Sequence, residues 1–295
     1  TGKDAFFASW AFSFGVLVQA GSTDTFFHGK YMMALWTFTF GALPGVLGYY
    51  RMCLPLFPFL VERFALDRFD LVVSSSHCVA KSVLVPKGTP HICYCHTPMR
   101  YAWDQFDAYF GPDRIGGLRS RLMRLTMRRF QQWDRATADR VSRFVTNSRN
   151  VAGRIRRYYN REATVVYPPV DTDFFRPDGS PPRPSALIVS ALVPYKRIDV
   201  AIEACRLSST PLKIVGSGPE RTALEAKAGE GVEFLGWQPD EAVRRLYREA
   251  AVVLMPGEED FGLVPLEAQA CGRPVVAYGR GGALETVVAG ETGIL

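Results

Sequence analysis

Val252-Val-Leu-Met-Pro-Gly-Glu-Glu-Asp-Phe-Gly-Leu-Val-Pro-Leu-Glu-Ala-Gln-Ala-Cys-Gly-Arg-Pro-Val-Val-Ala-Tyr278 packs a whole structural unit into 27 residues. An apolar run, Val252–Met255, is followed by an acidic, glycine-bearing loop. Pro265 then suits the first turn of a helix, and Gly272-Arg273-Pro274 ends it. A second apolar run, 275–278, closes the segment. Two apolar runs joined by a helix predict parallel strands with a crossover.

The same alternation runs outward in both directions. Strands are predicted at 70–75, 91–95, 143–147, 164–167, 186–191, 212–215 and 232–235, with helical periodicity between most of them. Residues 240–250 place Ala242, Val243, Leu246, Tyr247 and Ala250 on one stripe. Six prolines between Tyr167 and Ser185 mark a linker. The sequence therefore predicts an α/β protein of two Rossmann-like parallel-sheet domains facing across a ligand cleft. Residues 1–170 form the first domain, 171–184 the Pro-rich linker and 185–295 the second. A length of 295 residues suits two such domains.

Composition narrows the function classes. With 47% hydrophobic and 22% charged residues the chain is not disordered. Six cysteines over this length read as reduced thiols in a cytoplasmic protein. The net charge of +6 hides a belt: fourteen arginines and two acids, Asp134 and Asp139, lie between Arg114 and Arg161. Such a belt fits an anionic surface. It lacks the aromatic interleaving or recognition helix of a nucleic-acid site. Arg119, Arg121, Arg124, Arg128 and Arg129, interleaved with Leu118, Leu122, Leu125 and Phe130, predict a basic amphipathic helix. It would either dock on an anionic membrane surface or pack its leucines on the domain. Two uncharged runs, 5–23 and 31–50, are diluted by polar residues and glycine; they read as buried core or interfacial surface rather than as membrane spans.

The acidic loop carries the sharpest chemistry. Glu259 falls at the carboxyl end of a strand and Glu267 lies inside the following helix, with the amides of Gly262, Leu263 and Val264 at the helix start. Carboxylates that accept pairs of hydroxyl groups, beside amides that accept an anion, suit polyols around a phosphate. Gly216-Ser-Gly-Pro219 is a second glycine-rich strand-to-helix turn of the same kind, placing Gly216, Gly218 and Pro219 beside a phosphate or ribose, or serving packing alone. His91, Cys93 and Cys95 fall on one strand face and His96 on the other, so this stretch does not converge on a metal.

Glu259-x7-Glu267, within Glu-Asp-Phe-Gly-Leu-Val-Pro-Leu-Glu-Ala, resembles the signature of glycosyltransferase family 4. Val193-Pro-Tyr-Lys-Arg-Ile-Asp199, Gly216–Pro219, Phe234-Leu-Gly236, Gly281-Gly-x2-Glu285 and Gly290-x-Thr-Gly293 agree with it in order and spacing. Tyr94-Cys-His-Thr-Pro-Met-Arg-Tyr-Ala-Trp-Asp104 and Tyr167-Pro-Pro-Val-Asp171 are similar to a bacterial O-antigen mannosyltransferase subgroup. The resemblance implies the GT-B fold and retaining transfer of a hexose, mannose from GDP-mannose, to a lipid-linked or polysaccharide acceptor, without a metal or other cofactor. It implies that Glu259 binds donor-sugar hydroxyls, Glu267 the ribose, Lys196 the diphosphate and His96 the donor sugar. Where many members carry a second cation, this chain has Ala191, and Arg197 is expected to substitute. A peripheral location at the inner face of the cell membrane follows from such an acceptor. A nucleotide-sugar 2-epimerase and a non-catalytic GT-B remnant are the alternatives. Residues 1–42 match no opening strand and glycine-rich loop, so the sequence reads as truncated at both ends, within an enzyme of about 350–400 residues.

Overall fold

The structure is a computed structural model that describes residues 16–19, 32–33, 57–67 and 69–295. The chain divides into two compact units, Thr1–Tyr167 and Pro168–Leu295.

The first unit is built on strands β1 (Val16–Gln19), β2 (Met32–Met33), β3 (Leu71–Ser76), β4 (His91–Cys95), β5 (Arg143–Thr146) and β6 (Ala163–Val165). They lie in the order β2-β1-β3-β4-β5-β6. The last four are parallel, whereas β1 runs antiparallel to both β2 and β3. No strand was expected before residue 70, so this antiparallel edge is an addition. It falls within the two uncharged runs, the rest of which lies outside the described residues.

Local chemistry sets the first unit's elements. Ser148 caps the helix Arg149–Tyr159 by accepting the Val151 amide at 3.1 Å, and Asn160 ends it in the left-handed region at φ 54°. Val151, Ile155 and Tyr159, spaced by four, are its buried face. The long helix Gly117–Ala136 buries Ser120, Met127, Phe130 and Asp134. Beneath it lies a charged core: Lys81 pairs with Asp134 at 3.1 Å, both side chains being at most 1% exposed. Trp103 Nε1 and the Tyr159 hydroxyl donate to the other Asp134 oxygen at 2.8 and 2.9 Å. Tyr101 meets Cys78 Sγ at 2.8 Å and Phe106 is buried, so these aromatics are core residues.

The second unit comprises β7 (Ala186–Val189), β8 (Leu212–Val215), β9 (Val232–Gly236), β10 (Val252–Met255), β11 (Val275–Ala277) and β12 (Gly293–Ile294). All are parallel, in the order β12-β11-β10-β7-β8-β9. Counted from β9 within the unit this is 3-2-1-4-5-6, the doubly wound order, whose direction reverses between β7 and β10. Ligands of such sheets bind at the carboxyl ends of the strands flanking that reversal.

Three expectations shift here. β7 stops at Val189, two residues early, although the Ser190 and Leu192 amides still reach Val215 O and Ser217 O on the β8 side at 3.0 and 2.9 Å. Pro219 does not open a helix: the Glu220 amide is held by Leu192 O at 3.0 Å, and the helix begins at Arg221. The proline-rich segment 171–184 is not a free linker but a strap on the second unit. Phe175 packs edge-on to Tyr247, the Arg244 guanidinium lies over Phe174, and Arg183 N bonds Glu249 O at 2.8 Å.

Candidate functional site

At the reversal point, the loops leaving β7 and β10 meet. After β7 the chain enters a short 3-10 turn, Pro194–Lys196; after β10 it runs through Pro256 to Glu259. Lys196 Nζ is hydrogen-bonded to Glu259 Oε1, forming an ion pair whose side chains are 14% and 22% exposed. Ser190, Lys196, Pro256, Glu259 and Val264 line the crevice between the loops. Two residues assigned from sequence to one site, 63 positions apart, are therefore brought into contact.

Close backbone approach makes this possible. A Cβ on Gly257 would lie 2.6 Å from Lys196 Cα, so only glycine lets the two loops touch. On the other side, Gly282 donates its amide to Glu259 O at 2.8 Å, and a Cβ there would lie 2.3 Å from Phe261 Cα. The Glu259 loop is thus gripped from both flanks, by Gly257 against the Lys196 turn and by Gly282 against Phe261.

The helix Leu263–Ala270 follows, with Gly262 at its N-cap in the positive-φ region (92°). The amides of Gly262, Leu263 and Val264 belong to its first turn, where helices leave donors without an intrahelical partner. Glu267 lies one turn further in. Its Oε2 accepts the Tyr247 hydroxyl at 2.8 Å. Burial chiefly, with Asp240 adding to it, raises the Glu267 carboxyl above its usual range, and the Tyr247 hydrogen bond opposes that. Tyr247 is fully buried, and burial first, then Glu267, holds its phenol well above its ordinary value. Tyr247 is a hydroxyl donor to the site that the sequence presents only as one apolar position of a helical stripe.

The other expected residues sit as follows. Arg197 does not join Lys196. It adopts a left-handed backbone (φ 50°) to start the helix Ile198–Leu207, and its guanidinium pairs with Asp199 on the surface at 3.1 Å. Gly216 and Gly218 are explained by packing: a Cβ would lie 1.9 Å from Ser190 O or 2.3 Å from Leu192 O. The Gly216 amide is already engaged by Gly236 O at 2.8 Å. Pro219 lies in the turn beside them.

His96, on the first unit, follows the end of β4. Its Nε2 shares a 2.8 Å hydrogen bond with the Ser75 hydroxyl, and Tyr94 meets its ring edge-on at 5.0 Å. Ser75 is an orienting partner that the run Ser74-Ser75-Ser76 does not single out. His91, Cys93 and Cys95 are all buried on one strand face. Among the described residues, no three His, Cys, Asp or Glu side chains are grouped to hold a metal ion.

Known proteins agree with this architecture. The family model described as Glycosyltransferase Family 4 matches residues 24–174, and that described as Glycosyl transferases group 1 matches residues 171–295. A GDP-mannose-dependent alpha-(1-6)-phosphatidylinositol monomannoside mannosyltransferase of Mycolicibacterium smegmatis is 39% identical over 43% of this chain and 41% of its own length. A D-inositol 3-phosphate glycosyltransferase of Acidothermus cellulolyticus is 38% identical over 54% of this chain and 42% of its own. The chain thus spans about two fifths of the length of these curated relatives. In fold it is similar to sucrose-phosphate synthase from Thermosynechococcus elongatus (TM-score 0.62, 20% identity, 83% of this chain and 65% of that one). HepE from Anabaena, solved with UDP and glucose, is also similar (TM-score 0.55, 19% identity, 85% and 68%). With one family model covering half of its residues and a second taking up where that one ends, the chain belongs to glycosyltransferase family 4.

Proposed function

We propose that this chain is the catalytic part of a retaining glycosyltransferase that takes mannose from GDP-mannose and transfers it to a lipid-linked saccharide. The observation that carries the reading is the Lys196–Glu259 pair at the sheet's reversal point, in the loop that leads into the helix bearing Glu267. The preference for mannose and a lipid acceptor is supported by the phosphatidylinositol monomannoside mannosyltransferase among the relatives.

In this reading the nucleotide's ribose hydroxyls donate to Glu267, whose other partner, Tyr247, fixes the carboxylate's direction. The diphosphate meets Lys196 and the amides of Gly262–Val264. Lys196 then exchanges one anionic partner, Glu259, for another, so the cation stays compensated as donor enters. Glu259, released, is free to accept sugar hydroxyls. As the bond from the anomeric carbon to the phosphate oxygen breaks, negative charge grows on the diphosphate, and Lys196 with the helix amides stabilises it. The acceptor oxygen bonds to the anomeric carbon from the same face and passes its proton to a departing phosphate oxygen. The positive charge comes from Lys196 and the amides, so the proposal requires no metal ion. His96 keeps the donor-sugar role that the resemblance implies.

Titration with GDP, and turnover with GDP-mannose and a lipid-linked saccharide, test this. Glu267→Ala should weaken GDP binding by about tenfold or more, since one charged hydrogen bond contributes roughly 1.5–3 kcal/mol. Glu259→Ala and His96→Ala should lower turnover with little change in GDP affinity. Parental GDP binding in Glu267→Ala, with parental turnover in Glu259→Ala, would overturn the assignment.

A further inference from the structure

The helix Gly117–Ala136 presents an outer face that no other described residue covers. Its inward side is Ser120, Met127, Phe130 and Asp134. Leu118, Leu122 and Leu125 point the other way and are 85%, 66% and 59% exposed. Spaced by four and three residues, they form one stripe along the helix, and Arg129, four further on, continues it. Arg121 and Arg128 flank the stripe and are exposed, as is Arg119. Of the two readings the sequence left open, packing of these leucines on the domain is not what the structure shows.

Among the described residues Arg119, Arg121, Arg128 and Arg129 have no ion-pair or hydrogen-bond partner, whereas other members of the arginine belt do. Arg124 pairs with Asp107 at 2.7 Å and lies over the Phe106 ring; Arg140 pairs with Glu62 at 2.7 Å. Arg156 pairs with Glu162 at 2.6 Å. The helix's one acid, Asp134, is buried against Lys81. Among the described residues the outer face thus joins three exposed leucines to four guanidiniums without a partner, with no acid of the helix among them.

A helix face that needs only solvation carries polar residues, and three leucines in line are not that. A nucleic-acid backbone would use the guanidiniums and leave the leucines wet. An anionic lipid leaflet uses both: leucines enter the acyl boundary while guanidiniums reach the headgroup phosphates. We propose that the outer face of the helix Gly117–Ala136 is a docking surface for an anionic lipid leaflet. The proposal does not depend on the donor reading, since GDP titration tests that reading separately.

Co-sedimentation of the whole chain with vesicles decides it. Phosphatidylcholine vesicles containing phosphatidylglycerol should bind the protein, and phosphatidylcholine alone should not; binding should fall with added salt. Arg121→Gln with Arg128→Gln should weaken binding roughly thirtyfold, from about 1 kcal/mol per basic residue at an acidic surface. Lys227→Gln with Arg245→Gln removes the same charge from exposed positions on the second unit and should leave binding within about twofold. Leu118→Ser, Leu122→Ser and Leu125→Ser combined should lower binding about tenfold or more at unchanged charge, without moving the melting temperature, because these side chains support no core. If the serine variant failed to fold, the arginine pair and its charge-matched control would still carry the test. Equal binding to neutral vesicles, none to acidic ones, or retained binding in the serine variant would overturn the proposal. So would a protein dimer that the serine changes dissolve, without vesicle binding; the face would then belong to a second copy.

Discussion

His91 shows a single buried ring setting its own protonation state. The Arg140 carbonyl can only accept, so Nδ1, 3.2 Å away, carries the proton, and Nε2 accepts from the Ser74 hydroxyl at 2.8 Å. Burial above all pushes the ring's pKa down to about 4 from 6.5; the Arg140 carbonyl opposes this and Lys81 adds to it. The unfolded chain therefore binds this proton more readily than the folded one. The stability His91 contributes is fully present above pH 6.5 and is lost as pH falls towards 4, a difference on the order of 3 kcal/mol. Urea unfolding at pH 7, 5.5 and 4.5 should show a smaller loss in His91→Gln than in the parent, even if the variant is less stable throughout. Identical slopes would mean the ring titrates normally. Strand alternation alone is enough to put His91 and His96 on opposite faces; that His91 is buried against Ser74 and His96 held by Ser75 depends on the neighbouring strand and is invisible in the sequence.

The element that matters most to the site is the loop from β10 into the helix Leu263–Ala270. Its carboxylates are legible because a strand end, a helix start and their spacing are all local. Its glycines are not, because what excludes a Cβ at Gly257 and Gly282 is backbone belonging to other segments, the Lys196 turn for one and Phe261 for the other. The same limit explains Gly216 and Gly218, whose sequence suits a phosphate cradle and packing alike and whose surroundings are the carbonyls of Ser190 and Leu192. Tyr247 escaped for the opposite reason: its ring obeys the helical stripe, so nothing local marks its hydroxyl as aimed at Glu267. Gly282→Ala places a methyl 2.3 Å from the Phe261 backbone and must move the Glu259 loop. GDP affinity should drop about tenfold or more, by at least roughly 1.4 kcal/mol. Gly229→Ala, where a Cβ meets nothing within 4 Å, should be silent. Equal GDP affinity in both variants would show that the clamp at Gly282 does not position the loop.

On the scale of the whole molecule, the alternation of strands and helices was enough to predict two α/β units. It does not specify strand order, which parallel pairing decides between residues far apart in the chain: β7 and β10, separated by more than sixty residues, are neighbours. Nor does composition say to which unit the proline-rich stretch belongs. Prolines predict extended backbone without ladder donors, which a free linker and a packed strap share. Phe174 and Phe175 decide between them, one under the Arg244 guanidinium and one against Tyr247, and Arg248 adds hydrogen bonding to Arg176 O at 2.7 Å and an ion pair to Asp178 at 3.4 Å. Tyr247 is also the donor to Glu267, so the strap braces a residue of the nucleotide site from behind. Removing the Phe175 ring should cost about 2 kcal/mol of the second unit's stability. If the strap were only a linker, Phe175→Ala would leave both stability and GDP affinity at the parental level. If it braces Tyr247, thermal melting and GDP titration of that variant in the full chain should fall together, while Pro181→Ala, in an exposed stretch of the same segment, should change neither.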